Sequence, residues 1–286
     1  MADSKFLNDY FTIGGDLKVR RFGFGAMRIT GKGIWGQPKD HKEAVAVVKR
    51  AVELGINFID TADSYGPYVS EEILAEALYP YPADLVIATK GGLLRPGPDN
   101  WVPDGRPEHL KEALEGSLKR LKADRIDVYQ FHRPDPKVPF EESVGFLAEM
   151  KKQGKIRHIG LSNVNEEQLK QAQAIVEIVS VQNLYNLSNR SSESLVDVTN
   201  RQNIGFIPWF PLATGKLAES GGKLEEIAKN HGATPSQVAL AWLLKRSPNM
   251  LPIAGTGSVE HLEENIKGAD IELTDDEFKA LDQASA

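Results

Sequence analysis

The sequence has no cysteine among its 286 residues. A chain without thiols forms no disulfide, has no thiolate nucleophile and cannot bind zinc through sulfur. Long apolar runs are also missing, since the longest covers residues 238–244 and a membrane-spanning helix needs about 20 residues. The amino-terminal residues lack the apolar segment of a signal peptide. We therefore expect a cytoplasmic protein that does not bind a membrane.

Positive charge is not in excess either. The chain has 34 Lys and Arg against 40 Asp and Glu, which gives a formal net charge of −6. Because nucleic acid attracts basic surfaces, this balance does not favour a nucleic-acid partner. No linker, low-complexity tract or repeat divides the sequence. We expect residues 1–286 to form a single domain that is a monomer or a weak homo-oligomer.

Short apolar stretches alternate with amphipathic helical patterns along the whole chain. Eight candidate strands cover residues 22–27, 56–60, 84–90, 125–132, 156–162, 177–182, 204–210 and 250–255. Strands that alternate with helices predict an α/β fold with a parallel sheet covered on both faces. Eight such units in a chain of this length favour a closed (β/α)8 barrel, the TIM barrel.

The alternative fold is an open doubly wound sheet. That fold usually carries a Gly-rich turn after its first strand, and the nearest candidate, at residues 23–28, lacks the third glycine. Before the first barrel strand, residues 11–21 read as a β-hairpin with Gly14 and Gly15 near its turn. We expect this hairpin to cap one end of the barrel.

Titratable side chains end three neighbouring candidate strands. Asp60 ends the second, Lys90 the third and His132 the fourth, and Tyr65 follows Asp60 in the next loop. In a (β/α)8 barrel the carboxyl ends of the strands meet at one rim, where the active site lies. We therefore expect these four side chains to converge. The ends of the fifth and sixth strands deliver Ser162, Asn163 and Gln182 to the same rim.

These four residue types suit the reduction of a carbonyl group. A free tyrosine has a pKa near 10, and a nearby lysine ammonium lowers that value by favouring the phenolate. A carboxylate beside the lysine keeps it charged, and a histidine aligns a carbonyl oxygen by hydrogen bonding. A proton donor of this kind needs a hydride donor beside it. Nothing in the sequence indicates a metal or a flavin, so a nicotinamide cofactor is the expected source.

Eight segments, in the same order, resemble the aldo-keto reductase family over nearly the whole chain. They are GFGAM (23–27), DTADSYG (60–66), ATKGG (88–92), FHRPD (131–135), GKIRHIGLSN (154–163), VQNLYN (181–186), WFPLATGKL (209–217) and PIAGTGSVEHLEEN (252–265). The overall pattern is similar to bacterial reductases of a kind that includes pyridoxal reductases. The resemblance implies an oxidoreductase that uses NADPH, with NADH as the alternative cofactor, to reduce aldehydes and some ketones.

The resemblance also implies a role for each matching residue. Tyr65 would donate the proton, Lys90 would lower its pKa, Asp60 would hold Lys90 and His132 would orient the substrate carbonyl. The implied substrate contacts are Tyr65, His132 and Trp101. The implied cofactor contacts are Gly25, Ala26 and Met27 near the nicotinamide ribose; Asp60; Ser162, Asn163 and Gln182 at the carboxamide; Trp209, Phe210 and Pro211 at the ring; Leu212, Gly215 and Lys216 along the pyrophosphate; Gly255, Thr256, Gly257 and His261 near the 2′-phosphate; and Glu264 and Asn265 at the adenine.

Two features depart from the family pattern. Residues 255–261 contain no Lys or Arg, although many relatives hold the 2′-phosphate of NADPH with such a residue there. The hydroxyls of Thr256 and Ser258 and the amides that start the next helix are the groups left to bind it. Only a short tail follows Asn265, so we expect residues 91–108 to form a loop that shapes the pocket. Within it, Trp101 would contact substrate or cover the rim.

Two other functions stay open at this point. Some members of the family serve as cofactor-sensing binding subunits, and an intact catalytic set is compatible with that role. Alternatively, Lys90 forms a Schiff base with a carbonyl substrate in a barrel enzyme of unrelated chemistry. Turnover of a simple aldehyde with NADPH would separate the first alternative from a reductase. Borohydride trapping of a substrate adduct on Lys90 would support the second.

Overall fold

The computed structural model describes residues 4–212 and 222–284. Its strands, in chain order, are β1 (Tyr10–Ile13), β2 (Leu17–Arg20), β3 (Phe24–Gly25), β4 (Phe58–Asp60), β5 (Val86–Gly91), β6 (Leu93–Gly97), β7 (Asn100–Pro103), β8 (Ile126–Phe131), β9 (Ile156–Ser162), β10 (Ile178–Leu184) and β11 (Gly205–Trp209). Seven of them form one parallel sheet in the order β3, β4, β5, β8, β9, β10, β11. Each strand pairs with its neighbour along the chain, apart from the interposed β6 and β7, as a (β/α)8 barrel requires.

The barrel closes through the segment that follows β11. Met250 pairs with Phe206 of β11, and Ile253 pairs with Gly23 just before β3, both in parallel. The amide of Phe206 donates to the carbonyl of Asn249 and that of Gly23 to the carbonyl of Pro252, each at 2.9 Å. The eighth predicted strand, 250–255, is therefore present only as isolated pairs.

Helices cover the outside of the sheet. They are α1 (His41–Glu53), α2 (Val69–Leu78), α3 (Pro107–Arg120), α4 (Phe140–Lys152), α5 (Glu166–Gln173), α6 (Glu193–Arg201), α7 (Lys223–Asn230), α8 (Pro235–Arg246), α9 (Val259–Gly268) and α10 (Asp275–Ala284). Several begin at side-chain caps; Asn165 and Thr234 each form a reciprocal capping box with a glutamine three residues later. No helix of the described residues is long and apolar enough to cross a membrane.

The predicted amino-terminal hairpin is confirmed and caps the barrel. β1 and β2 pair in antiparallel register, and Gly14 and Gly15 take positive φ in the turn, 61° and 82°. The inward side chains of the hairpin pack against residues near the starts of the barrel strands, in a cluster that includes Phe11, Ile13, Leu17, Val19, Phe58, Val86 and Ile207. This end of the barrel is filled, so only the carboxyl ends of the strands are left for a site.

A second hairpin, β6–β7, replaces part of the loop expected at residues 91–108. Leu93 pairs with Pro103 and Leu94 with Val102, and Asp99 takes a positive φ of 54° in the turn. The prediction of a loop was wrong for residues 93–103 because prolines and glycines hide the strand pattern. A two-stranded ribbon tolerates proline at positions whose N–H is not needed for pairing. Its alternating burial turns Leu93 and Arg95 inward and Leu94 outward.

Candidate active site

Strand ends bring the four predicted catalytic side chains to one rim. Asp60 is the last residue of β4, Lys90 lies next to the end of β5, and His132 follows β8 directly. Tyr65 lies in the turn between β4 and α2. Asp60 and Lys90 are at most 1% exposed, and Tyr65 and His132 are each 7% exposed. All four are therefore shielded from bulk water.

Lys90 links the carboxylate to the phenol. Its Nζ donates to Asp60 Oδ1 at 2.6 Å, to the carbonyl of Thr61 at 2.8 Å and to the Tyr65 hydroxyl at 3.1 Å. These three acceptors satisfy the three donors of an ammonium group. The position of the Tyr65 hydroxyl is thus coupled to the strand β4 through one fully buried side chain.

Two buried amides hold the other oxygen of Asp60. Gln130 and Gln182 each donate from Nε2 to Asp60 Oδ2 at 2.9 Å. Gln182 was expected only as a cofactor contact, and Gln130 was not expected in the site. The sequence signal for Gln130 was its spacing. It lies on β8 two residues before His132, which follows that strand directly, so both side chains point to the same side of the sheet.

The electrostatics of the pair Lys90 and Tyr65 are set by burial and by Asp60. Burial lowers the pKa of Lys90, but Asp60 and Tyr65 raise it by more, so the net direction is upward and the ammonium is retained. Burial raises the pKa of Tyr65 above its ordinary value of 10.0. Lys90 opposes that rise, as expected from the sequence, while Asp60 adds to it. Lys90 therefore lowers the pKa of Tyr65, but burial and Asp60 together raise it by more.

His132 is a neutral imidazole in this environment. Burial places its pKa well below the ordinary 6.5, and the positive charges of Lys90, Arg133 and Arg95 lower it further. The Ser64 hydroxyl lies 3.3 Å from its Nδ1. A hydroxyl that donates to Nδ1 leaves the single proton on Nε2. In that tautomer, His132 can donate a hydrogen bond to a carbonyl oxygen.

Three of the predicted catalytic residues, Asp60, Tyr65 and His132, line a cavity of about 430 Å³. The aromatic wall next to them is Trp101 of β7, whose ring centroid lies 6.3 Å from that of Tyr65 and 6.4 Å from that of His132. Trp101 is half-buried and faces the cavity, which fits the predicted substrate contact. The cavity is large enough for a small organic substrate beside a bound ring.

Arg95 fixes this wall and was missed from the sequence. Its guanidinium lies 3.5 Å from the centroid of the Trp101 ring. It donates to the carbonyls of Ser64 at 2.8 Å, Asn100 at 3.0 Å and Gly33 at 3.1 Å. One buried arginine therefore ties the β6–β7 hairpin to the loop that carries Tyr65. The local sequence around Arg95 does not predict these partners, because they lie in three separate segments.

Most residues predicted to contact the nicotinamide half of the cofactor, together with Leu212 from the predicted pyrophosphate contacts and Gly255 from the predicted 2′-phosphate contacts, line the same cavity as the predicted catalytic groups. They are Gly25, Met27, Asp60, Ser162, Asn163, Gln182, Trp209, Phe210, Pro211, Leu212 and Gly255. Ala26 is buried beside them and does not line the cavity. Asn163, at a positive φ of 58°, donates to the carbonyl of His132 at 3.0 Å. Gly215 and Lys216 lie outside the described residues.

The loop expected near the 2′-phosphate has much of its bonding capacity used within the chain. The amide of Ser258 donates to Thr256 Oγ1 at 3.1 Å, and Ser258 Oγ caps the amide of His261 at 3.5 Å. The amide of Val259 donates to the carboxylate of Glu43 at 3.0 Å. Glu43 lies in the first turn of α1 and was not expected here. The start of α9 thus already holds an anionic group of the protein itself.

The remaining predicted contacts lie further along α9 and away from the cavity lining. His261 is exposed, Glu264 is half-buried and Asn265 is buried. The carbonyl of Glu264 accepts from Gln237 Nε2 at 2.7 Å. Thr256 and Gly257 also fall outside the cavity lining, although Gly255 belongs to it. The structure therefore groups the predicted catalytic and nicotinamide residues together and leaves the predicted adenine-side residues apart from them.

The chain belongs to the aldo/keto reductase family, a family of oxidoreductases whose model matches residues 21–286. It is 52% identical over 269 residues to an uncharacterized oxidoreductase of Schizosaccharomyces pombe, covering 94% of this chain and 88% of that protein. It is 43% identical over 282 residues to pyridoxine 4-dehydrogenase of Escherichia coli, covering 96% and 98%. A solved glycerol dehydrogenase of Gluconobacter oxydans is 29% identical, with a TM-score of 0.88 and coverage of 96% and 94%.

Proposed function

We propose that the protein reduces aldehydes and some ketones to alcohols, with NADPH as the hydride donor. The observation that carries this proposal is the chain of hydrogen bonds from Asp60 through Lys90 to the Tyr65 hydroxyl, which ends at the cavity beside His132. A buried phenol held by an ammonium group is arranged to give a proton to an oxygen in the cavity. Tyr65 is accordingly the proposed general acid.

Each of the four side chains has a separate proposed role in the reduction. His132 donates a hydrogen bond to the substrate carbonyl oxygen and places the carbonyl carbon toward the nicotinamide side. Tyr65 transfers its proton to that oxygen as the carbon–oxygen double bond becomes single. Lys90 stabilises the resulting phenolate, and Asp60 holds Lys90 in its charged form. When bound, the nicotinamide supplies the hydride that forms the new C–H bond.

The residues present fit a nicotinamide ring. Gln182 uses Nε2 for Asp60 and Gln130, so its Oε1 is the atom available to accept from a carboxamide NH2 group. Trp209 lines the cavity, and its buried Nε1 has no partner among the described residues. Gly25 and Gly255 approach so closely that a Cβ on Gly255 would lie 2.4 Å from the Gly25 carbonyl oxygen. We propose these groups as the ring and ribose contacts.

The same geometry weighs against Schiff-base chemistry at Lys90. A lysine nucleophile must lose its proton, and burial in an apolar pocket promotes that loss. Here Asp60 and Tyr65 outweigh burial, and the pKa of Lys90 is raised. The fully buried ammonium also uses its donors on three acceptors of the protein. We therefore propose a supporting role for Lys90 rather than a covalent one.

A narrower substrate class is favoured by one of the relatives. Pyridoxine 4-dehydrogenase of Escherichia coli is similar over almost its full length. An aromatic wall at Trp101 and a cationic side chain at Arg133 line the cavity beside His132. These groups suit a flat aromatic aldehyde with polar substituents. We propose a pyridine aldehyde such as pyridoxal as the second candidate substrate, after simple aldehydes.

The proposed function is tested by screening carbonyl compounds with NADPH and with NADH. The panel contains simple aldehydes, ketones and pyridoxal, and the loss of reduced nicotinamide absorbance is followed. We expect aldehyde turnover with NADPH, and formation of the matching alcohol. Tight NADPH binding without turnover of any compound would instead favour a cofactor-sensing subunit. Borohydride trapping of an adduct on Lys90 would contradict the proposed roles.

A further inference from the structure

The loop that follows the cavity-lining residue Gly255 has an unusual charge arrangement. The pyrophosphate and the 2′-phosphate of a dinucleotide are both negatively charged. Proteins normally bind such groups with Arg, Lys or free backbone amides. Residues 255–261 contain neither Arg nor Lys. The first amide of α9 is bonded to Glu43, which adds negative charge there. A cation that binds this part of a dinucleotide must therefore come from elsewhere in the chain.

Arg28 lies next to this loop although it is far from it in sequence. It belongs to the short 3₁₀ helix Ala26–Ile29, which follows β3 directly. Its carbonyl oxygen would lie 3.1 Å from a Cβ added to Gly257, so the two backbones are neighbours. The glycine at 257 therefore lets the Arg28 segment and the loop approach closely.

The side chain of Arg28 is available to a ligand. Arg28 is exposed and lines the cavity that contains Tyr65 and His132, together with Met27 and Gly255. Within residues 4–212 and 222–284, its guanidinium forms neither a hydrogen bond nor an ion pair. Other arginines near the rim are engaged: Arg95 bonds three carbonyls, and Arg106 pairs with Asp104.

A solvated surface arginine is the simpler explanation of an exposed guanidinium. Lys32, four residues later, fits that explanation because it is exposed and does not line the cavity. Arg133 lines the cavity, but it follows His132 and so belongs to the substrate side. Arg28 differs from both, since it lines the cavity beside Gly255 and borders the loop at Gly257.

We propose that the Arg28 guanidinium binds a phosphate of the dinucleotide and replaces the basic residue that residues 255–261 lack. The inference rests on the proposed use of a nicotinamide dinucleotide. A planar guanidinium can donate two parallel hydrogen bonds to phosphate oxygens, which an ammonium cannot match. The phosphate is either the 2′-phosphate found only in NADPH or the pyrophosphate shared by NADPH and NADH.

The test compares the dissociation constants of NADPH and NADH for wild type, Arg28→Gln and Arg28→Lys, measured by quenching of tryptophan fluorescence. Lys32→Gln removes a positive charge close by in the chain and serves as the control for net charge. Thermal unfolding of each variant checks that the fold is kept. We expect Arg28→Gln to weaken NADPH binding by roughly 10- to 100-fold, Arg28→Lys to weaken it less, and Lys32→Gln to leave it unchanged.

The two cofactors distinguish the phosphates. Unchanged NADH binding in Arg28→Gln assigns the contact to the 2′-phosphate, and equal weakening of both cofactors assigns it to the pyrophosphate. The proposal is wrong if wild type binds NADPH and Arg28→Gln binds it equally well, or if Lys32→Gln weakens binding as much as Arg28→Gln. Failure of wild type to bind either cofactor would instead overturn the proposed function, and this inference with it.

Discussion

Two regions at and beside the cavity next to Tyr65 and His132 hold their side chains in different ways. At the proposed catalytic end, formed by Asp60, Tyr65, Lys90 and His132, each group lies at or next to the end of a strand or in the turn after it and is almost fully buried. At the proposed phosphate end, formed by Arg28, Glu43 and residues 255–258, the groups belong to loops and helix starts and are half-buried or exposed. Of these, Arg28 and Gly255 line the cavity. We infer that the buried strand ends carry the proposed reduction, whereas the exposed loops determine the preference for NADPH or NADH.

Burial also makes the catalytic end less tolerant of change. Lys90 and Asp60 form an ion pair in which both side chains are at most 1% exposed. Removal of one partner leaves a buried charge without compensation, which is costly. Glu43 at the phosphate end is half-buried and close to solvent. Screening by water reduces the effect of a charge in such a position.

The largest expected effect is on the proton donor. Tyr65→Phe removes only the phenolic hydroxyl, so carbonyl reduction should fall by about 10²- to 10⁴-fold. The dissociation constant of NADPH should stay within about twofold of wild type, since the hydroxyl bonds Lys90 rather than a cofactor group. Steady-state kinetics and fluorescence titration measure the two quantities. Near wild-type turnover would remove Tyr65 from the mechanism.

The next effect concerns the buried ion pair. Lys90→Met removes the charge beside Tyr65, so turnover should fall by about 100-fold, and the free energy of unfolding should fall by about 3 kcal/mol because Asp60 loses its partner. Urea unfolding measures the second change. Adding Asp60→Asn to Lys90→Met should restore part of the stability and none of the activity. Equal stability of Lys90→Met and wild type would contradict the description of the pair.

A smaller effect is expected at the aromatic wall. Arg95→Lys keeps the positive charge but loses the fork that bonds three carbonyls and covers Trp101. We expect KM for an aromatic aldehyde to rise by about tenfold, the cost of one or two hydrogen bonds. The dissociation constant of NADPH should not change. An unchanged KM with weaker cofactor binding would show that Arg95 serves the other end of the cavity.

The smallest effect is expected at the start of α9. Glu43→Gln keeps an acceptor for the amide of Val259 and removes one negative charge from the phosphate end. NADPH binding should tighten by about two- to fivefold at low salt and by less at high salt. Glu53→Gln, an exposed acid at the other end of α1, is the matched control and should have no effect. Equal effects of the two variants would contradict a local role for Glu43.

The same contrast separates what the sequence predicted from what it missed. Asp60, Lys90 and His132 could be placed because each ends a strand, and the strands of a barrel end at one rim. Gln130 was only partly predictable. Its position on a strand followed from the sequence, but its hydrogen-bond partner Asp60 lies on another strand. Local periodicity identifies the face of a side chain and not the atom it bonds.

Contacts between segments that are distant in the chain could not be predicted from the sequence. Glu43 and Val259 are separated by more than two hundred residues, and nothing in the pattern of α1 marks a partner on α9. Arg95 lies in a segment whose prolines and glycines suggested a loop, so its place in a hairpin was hidden. The eighth strand was predicted, but it is present only as isolated pairs at Met250 and Ile253. In each case the structure depends on packing between segments, and the secondary-structure propensity of the individual residues does not encode that packing.

The most direct test of the proposed reduction follows the hydride itself. NADPH carrying deuterium at the transferable position of its nicotinamide is mixed with the protein and an aldehyde substrate, and the alcohol is analysed by mass spectrometry. We expect one deuterium on the former carbonyl carbon with wild type, and at least about 100-fold less labelled alcohol in the same time with Tyr65→Phe. Unlabelled alcohol, or labelled alcohol formed equally well by both proteins, would contradict hydride transfer with Tyr65 as the proton donor.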